Sequence, residues 1–252
     1  MRVGDRDVAR IGLGTNRLTP TPQNVELIRS AVAAGVQMID TAHLYTGGKS
    51  EETIGEALAG KSDGVIVATK GGFGGAGRGR PDVLRAEIEQ SLRSLRVDAI
   101  ELYYLHRVDP ETPIEASLST IDEYRQRGAI RHIGISEVTV EDIERARSVV
   151  PITAVQNHYN IEERKYEDVV DYCTQEGIVF VPFFPLRADG GRVVKDIARA
   201  HGATPRQVLL AWLLARSPVM LPIPGTLSLE HLKENMGALE LELTKAEVAA
   251  LS

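Results

Sequence analysis

Three side chains able to move protons or form adducts stand at equivalent places in this chain: Asp40, Lys70 and His106. Each follows a short apolar, β-rich run: Val36–Ile39, Gly64–Ala68 and Ala99–Leu105. If those runs are neighbouring parallel strands, an acid, an amine and an imidazole converge, although 30 and 36 residues separate them. Such a trio supports proton transfer or, at the amine, Schiff-base formation with a carbonyl. A single Asp or Lys at a strand end is more often a cap or a solvated ion pair, so the reading rests on all three together.

The elements that would position them recur from end to end. Five further runs, Ala9–Leu13, Ile130–Ile135, Thr153–Val155, Ile178–Pro182 and Met220–Ile223, complete a set of eight. Between the runs lie amphipathic stretches near 22–34, 50–59, 81–95, 114–127, 139–149, 163–176, 192–200, 204–214 and 229–237. Ala34-Gly35, Arg127-Gly128 and Glu176-Gly177 read as helix stops, while Arg80-Pro81 and Thr204-Pro205 read as starts. Eight alternating units in one α/β domain spanning residues 1–252 most simply close into a (β/α)8 TIM barrel, which places its chemistry at the carboxyl ends of the strands. Those ends read Thr15, Asp40, Lys70, His106, Ser136, Gln156, Phe183 and Pro224-Gly225.

Composition narrows the function. Lys and Arg total 29 against 35 Asp and Glu, a net charge of −6, so no overall basic field is available for nucleic acid or an anionic membrane. The longest apolar runs fall far short of the roughly 20 residues that span a bilayer. With Cys173 the only cysteine and charge in the first seven residues, the expectation is a reduced, cytoplasmic protein without disulfides. His43, His158 and His231 lack the spacing of a zinc site with Cys173, so no metal is expected.

The segments Ile39-Asp40-Thr41-Ala42-His43-Leu44-Tyr45, Ala68-Thr69-Lys70, Tyr104-Leu105-His106, Gly134-Ile135-Ser136, Val155-Gln156-Asn157 and Ile223-Pro224-Gly225-Thr226 stand in the order and spacing of the aldo-keto reductases. The chain resembles that superfamily over essentially its whole length. The resemblance implies a catalytic tetrad of Asp40, Tyr45, Lys70 and His106, with Tyr45 as general acid, Lys70 lowering its pKa, Asp40 holding Lys70 charged, and His106 placing the carbonyl oxygen. It implies that Thr15, Asp40, Ser136, Gln156, Phe183, Leu186, Gly225, Thr226, His231, Glu234 and Asn235 bind the cofactor. Ser136 and Gln156 would hold the nicotinamide carboxamide, and Phe183 would stack on its ring in place of the usual Tyr. Glu137 and Phe184 replace a common Asn and Ser, and Gly225 and His231 stand where Lys and Arg often meet a 2′-phosphate. With no acidic residue in 224–228 to repel that phosphate, NADP(H) is expected to be preferred modestly, with NAD(H) usable.

The implied function is reduction of small-molecule aldehydes or ketones. The alternatives are a Schiff-base barrel enzyme using Lys70, which would leave Tyr45 unexplained, and a non-catalytic nicotinamide-nucleotide-sensing subunit of the same fold. The family's frequent monomers favour a monomer. Two decoys are set aside: Gly72–Gly77 spells G-x-G-x-x-G but precedes its helix by too many residues, and Tyr45–Lys49 spells Y-x-x-x-K across two glycines. The Gly-rich stretch reads instead as a mobile rim of the substrate pocket. The brief segments 107–113 and 186–192, with no long tail after Ser252, predict an open, shallow site that discriminates little among small aldehydes.

Overall fold

The computed structural model describes residues 1–59 and 64–251; residues 60–63 and 252 of the expected domain lie outside the described residues. Its centre is a parallel sheet of seven strands in sequence order: β3 Leu13–Gly14, β4 Met38–Asp40, β5 Ile66–Gly71, β6 Ile100–Leu105, β7 Ile130–Ser136, β8 Ala154–Gln156 and β9 Val179–Phe180. The register sets Gly14 beside Asp40, Asp40 beside Ala68, Lys70 beside Tyr104 and Ser136 beside Gln156. The expected eighth run closes the ring through single parallel bridges, Met220 to Phe180 and Gly225 to Gly14. It pairs so sparsely because Pro222 and Pro224 turn their carbonyls to Gly12 and Gly14 but have no N–H to return. The same shortage confines the first barrel strand to Leu13–Gly14, later than the expected 9–13.

Side chains alternate across this ring. Met38, Ile66, Ala68, Leu102, Tyr104, Ala154, Val179, Val181, Leu221 and Ile223 fill the lumen, while Tyr103, Ile133, Val155 and Phe180 join the larger layer under the helices. Tyr103 and Tyr104 thus face opposite ways, as their adjacency requires. Beneath the lumen lies an element absent from the sequence reading, a hairpin of β1 Arg2–Val3 and β2 Arg6–Asp7. Its Val3, with Val8 beyond it, packs into the lumen cluster, and Asp5 meets His132 at 3.0 Å. The strands are two residues long, too short for an alternation pattern to register.

The outer helices begin and end where local chemistry dictates. Thr139 and Asp142 form a reciprocal cap on α5 (Val140–Arg147), as Thr204 and Gln207 do on α8 (Pro205–Arg216). Gly177 closes α6 (Glu167–Glu176) in the left-handed conformation, φ 67°. Trp212, Leu209, Leu210 and Leu213 of α8 are buried in the outer layer. Among the described residues no helix is long and apolar enough to cross a membrane.

One glycine ties the packing to the site. A Cβ on Gly134 would lie 2.4 Å from the Tyr104 ring and 2.9 Å from the Ala154 carbonyl, so β7 must lack a side chain there for Tyr104 to occupy the lumen. Overpacking of this kind costs about 1–3 kcal/mol. Gly134→Ala is therefore expected to lower Tm by at least about 2 °C. Thermal unfolding followed by circular dichroism checks it, and an unchanged Tm would show that Tyr104 has room to shift.

Candidate active site

Consecutive strand ends bring the expected tetrad together. Lys70, in β5, is fully buried, and its Nζ donates to Asp40 Oδ1 at 2.6 Å and to the Thr41 carbonyl at 2.7 Å, with Tyr45 Oη at 3.5 Å. The second oxygen of Asp40 accepts from Gln156 Nε2 at 2.8 Å. Burial alone would drive the ammonium toward neutrality, but Asp40, with Tyr45 behind it, outweighs that effect and raises the Lys70 pKa.

Tyr45 reaches Lys70 because the chain after β4 folds back on itself. The short 3-10 turn Tyr45–Gly48 holds Thr46 and Gly47 at φ 50° and 66°, and Thr46 Oγ1 donates to the Leu18 carbonyl at 2.7 Å. The Tyr45 ring then lies edge-on to His106, 6.1 Å between centroids. Helix α2 (Lys49–Leu58) starts only after this turn and Lys49 pairs with Glu52, so Tyr45 and Lys49 do not share a helical face.

His106 is buried, with the Phe73 ring 4.8 Å away and no partner for Nδ1. Burial, then the charges of Lys70 and Arg107, push its pKa down to about 2. The imidazole is neutral at any pH where the protein would work.

These groups open into a cavity of about 670 Å³. Thr15, Ser136, Gln156, Phe183, Leu186 and Gly225 of the expected cofactor set line it beside Asp40, Tyr45 and His106. Thr15 is also structural: its hydroxyl donates to the Asp40 carbonyl at 2.8 Å and meets Ser50 Oγ at 2.9 Å. Thr226, His231, Glu234 and Asn235 are not part of that lining. Thr226 accepts from the Ser228 amide, Ser228 caps helix α9 (Leu229–Met236) through the His231 amide, and Asn235 is buried on that helix with Oδ1 unpartnered. Glu137 and Phe184, the departures noted above, both adopt left-handed backbone, φ 57° and 52°. The Glu137 carboxylate accepts from the His158 amide at 2.7 Å.

Sequence reasoning missed several cavity residues. Arg107 is the most conspicuous, a cation directly after His106, and Arg17, Arg187 and Leu44 also line the space. The Gly-rich segment contributes a rim residue, Phe73, and its two ends are tied to the rest of the barrel. Gly72 donates to Glu87, and Gly77 and Gly79 donate to Asp109, whose carboxyl is held down to about 2 by backbone amides and Thr112 against the opposing effect of burial. Arg78 also pairs with Glu87, so the loop is anchored at both ends. Among the described residues no group of three or more His, Cys, Asp or Glu is placed to hold a metal ion.

Comparison with known proteins identifies the family. The chain matches the aldo/keto reductase family model over residues 10–252. It is 38% identical to an uncharacterized oxidoreductase of Schizosaccharomyces pombe, covering 100% of this chain and 88% of that protein. It is 37% identical to pyridoxine 4-dehydrogenase of Escherichia coli, covering 99% and 96%. Among solved structures, the thermostable aldo-keto reductase Tm1743 bound to the inhibitor epalrestat superposes with a TM-score of 0.92 at 34% identity, covering 100% and 97%. An aldo-keto reductase of Klebsiella pneumoniae in complex with NADPH superposes at 0.87 with 29% identity, covering 97% and 90%. With the barrel, the four converging side chains and a family match spanning both, the chain belongs to the aldo/keto reductase family and is an oxidoreductase.

Proposed function

We propose that the protein reduces small aldehydes or ketones to alcohols with NADP(H), reversibly, Tyr45 delivering the proton. The observation that carries this reading is the phenol of Tyr45 poised 3.5 Å from a buried ammonium that Asp40 keeps charged. A free phenol, pKa near 10, is a weak acid at neutral pH. A fixed cation beside it stabilises the phenolate left after proton transfer, and in the oxidising direction the same phenolate accepts the proton. Neutral His106 can hydrogen-bond the carbonyl oxygen without adding a second positive charge beside Lys70.

The residues fit a nicotinamide dinucleotide. Gln156 spends its amide N–H on Asp40 and keeps its oxygen for a carboxamide N–H, while the Ser136 hydroxyl can donate to the carboxamide oxygen. Phe183 offers an aromatic face, and the unpartnered, buried Asn235 Oδ1 suits the amino group of an adenine. Gly225, Thr226, His231 and Glu234 would complete the adenosine end. Bound reduced nicotinamide supplies the hydride; the chain orients the carbonyl and provides the proton. The NADPH complex of the Klebsiella relative supports NADP(H) over NAD(H).

The Schiff-base alternative is disfavoured because Lys70 is fully buried, charged and already donating to Asp40 and Thr41. A nucleophilic amine must be free and neutral. A pure sensor would have no need of the Tyr45–Lys70–Asp40 alignment.

Tyr45→Phe keeps the ring and removes the acid, so turnover should fall about 10²–10⁴-fold while NADPH binding persists. Steady-state kinetics with a fluorescence titration reads both, and near wild-type reduction would overturn the role of Tyr45. Nitrogen-detected NMR of His106 should find a neutral ring from pH 5 to 8; protonation within that range would remove it as a neutral donor. In parallel titrations NADPH should bind more tightly than NADH by a modest factor, and the reverse order would refute the cofactor preference.

A further inference from the structure

The cavity is positive in a negative protein. Arg17, Arg107 and Arg187 line it, and the one carboxylate in its lining, Asp40, is neutralised by Lys70. Among the described residues none of the three guanidinium groups has a carboxylate within ion-pair distance, although many other arginines of the chain do. Two of them stand where the cofactor's own phosphates would account for them: Arg17 follows β3 and Arg187 follows β9, flanking the closing run 220–225 and Leu186. Arg107 does not. It follows β6, the fourth strand around the ring and the one opposite that closing run, next to the residue that would place the reacting carbonyl.

The setting of Arg107 is specific. Its guanidinium carbon lies 5.3 Å from the Phe73 ring centroid and 5.8 Å from that of Phe183. Nη1 donates to the His106 carbonyl at 2.6 Å and to Ser136 Oγ at 3.2 Å, which fixes the orientation of the group. The opposite edge, Nε with Nη2, makes no hydrogen bond among the described residues. That edge is a preformed pair of parallel donors, the geometry a carboxylate accepts in a bidentate manner. The flanking rings and partial burial strip water from the charge, so an anion placed there meets a cation already desolvated and oriented.

We propose that Arg107 is a specificity-determining residue that binds an anionic oxygen group of the substrate, so that the preferred substrates are aldehydes or ketones carrying a carboxylate or phosphate near the carbonyl. This deepens the carbonyl-reductase reading and rests on it for turnover. The planar Nε–Nη2 edge favours the carboxylate.

The test compares kcat/KM for 4-carboxybenzaldehyde, 4-formylphenyl phosphate and benzaldehyde, with NADPH, in the wild type, Arg107→Met and Arg107→Lys. The wild type should prefer the carboxylated aldehyde to benzaldehyde by at least about tenfold, the scale of one charged hydrogen-bond pair. Arg107→Met should collapse that ratio by about 10- to 100-fold, chiefly through KM, with Arg107→Lys restoring part of it. The phosphate arm identifies which anion is preferred. Benzaldehyde used as well as or better than both anions, or a ratio unchanged in Arg107→Met because all substrates fall together, would overturn the proposal and leave Arg107 a packing residue. A calorimetric titration of the product 4-(hydroxymethyl)benzoate against enzyme saturated with NADP⁺ separates the two readings. Binding lost in Arg107→Met supports the anion site even if no aldehyde turns over, and equal binding by both proteins refutes it even if all aldehydes do.

Discussion

The buried pair of Lys70 and Asp40 is the constraint around which the rest is arranged. Removing an ammonium from water is expensive, and one carboxylate rarely compensates unless its remaining lone pairs and the ammonium's remaining protons find partners. Here they do, through Thr41, Tyr45 and Gln156. Those partners come from β4 and its following turn, β5 and β8, so the pair is satisfied only when the strands hold their register. A slip of one residue in β5 would turn Lys70 into the helix layer and leave Asp40 as an unpaired buried charge. The site therefore helps to select the fold that builds it.

The barrel meets this demand by separating duties along its axis. Its lower part is filled with aliphatic side chains and Tyr104 and closed by the β1–β2 hairpin, while Asp40, Lys70, His106, Ser136 and Gln156 stand at the carboxyl ends. A hydroxyl network, Thr15, Thr41 and Ser50, lies between the ends of β3 and β4 and the start of α2. It joins the Asp40 backbone to the helix that follows Tyr45, so Tyr45 and the Asp40–Lys70 pair are held from two directions. The anchored Gly-rich loop acts similarly on the far side, where Asp109 and Glu87 fix the segment that carries Phe73.

Much of this was legible in the sequence because the signals were local and repeated. Strand runs followed by Asp40, Lys70, His106, Ser136 and Gln156 mark their own positions, and Pro and Gly at helix boundaries punctuate the rest. What was not legible depended on distant partners. The β1–β2 hairpin is too short to show a period, and only the lumen gives Val3 and Val8 their role. The thin pairing of the last run follows from Pro222 and Pro224, which were visible, but the direction their missing N–H groups would face was not. The anchors of the Gly-rich loop were not legible because Asp109 and Glu87 lie 15 to 32 residues from the amides they hold.

Electrostatics explains why His106 and Arg107, adjacent in the chain, fare so differently. Both follow β6, His106 within the field of Lys70 and Arg107 beside Phe73 and Phe183. The imidazole has a neutral form that is far cheaper to bury than the charged one, so burial first, and the two neighbouring cations second, drive it there. The guanidinium has none within reach, because even with burial pulling its pKa down it begins from 12.5. One positive charge is thus committed to Asp40 at the base of the cavity, a neutral donor follows, and a second positive charge remains above it, which among the described residues has no carboxylate at ion-pair distance and feels Glu137 only from farther off. A carbonyl compound with an anionic end would match that sequence of groups along its length.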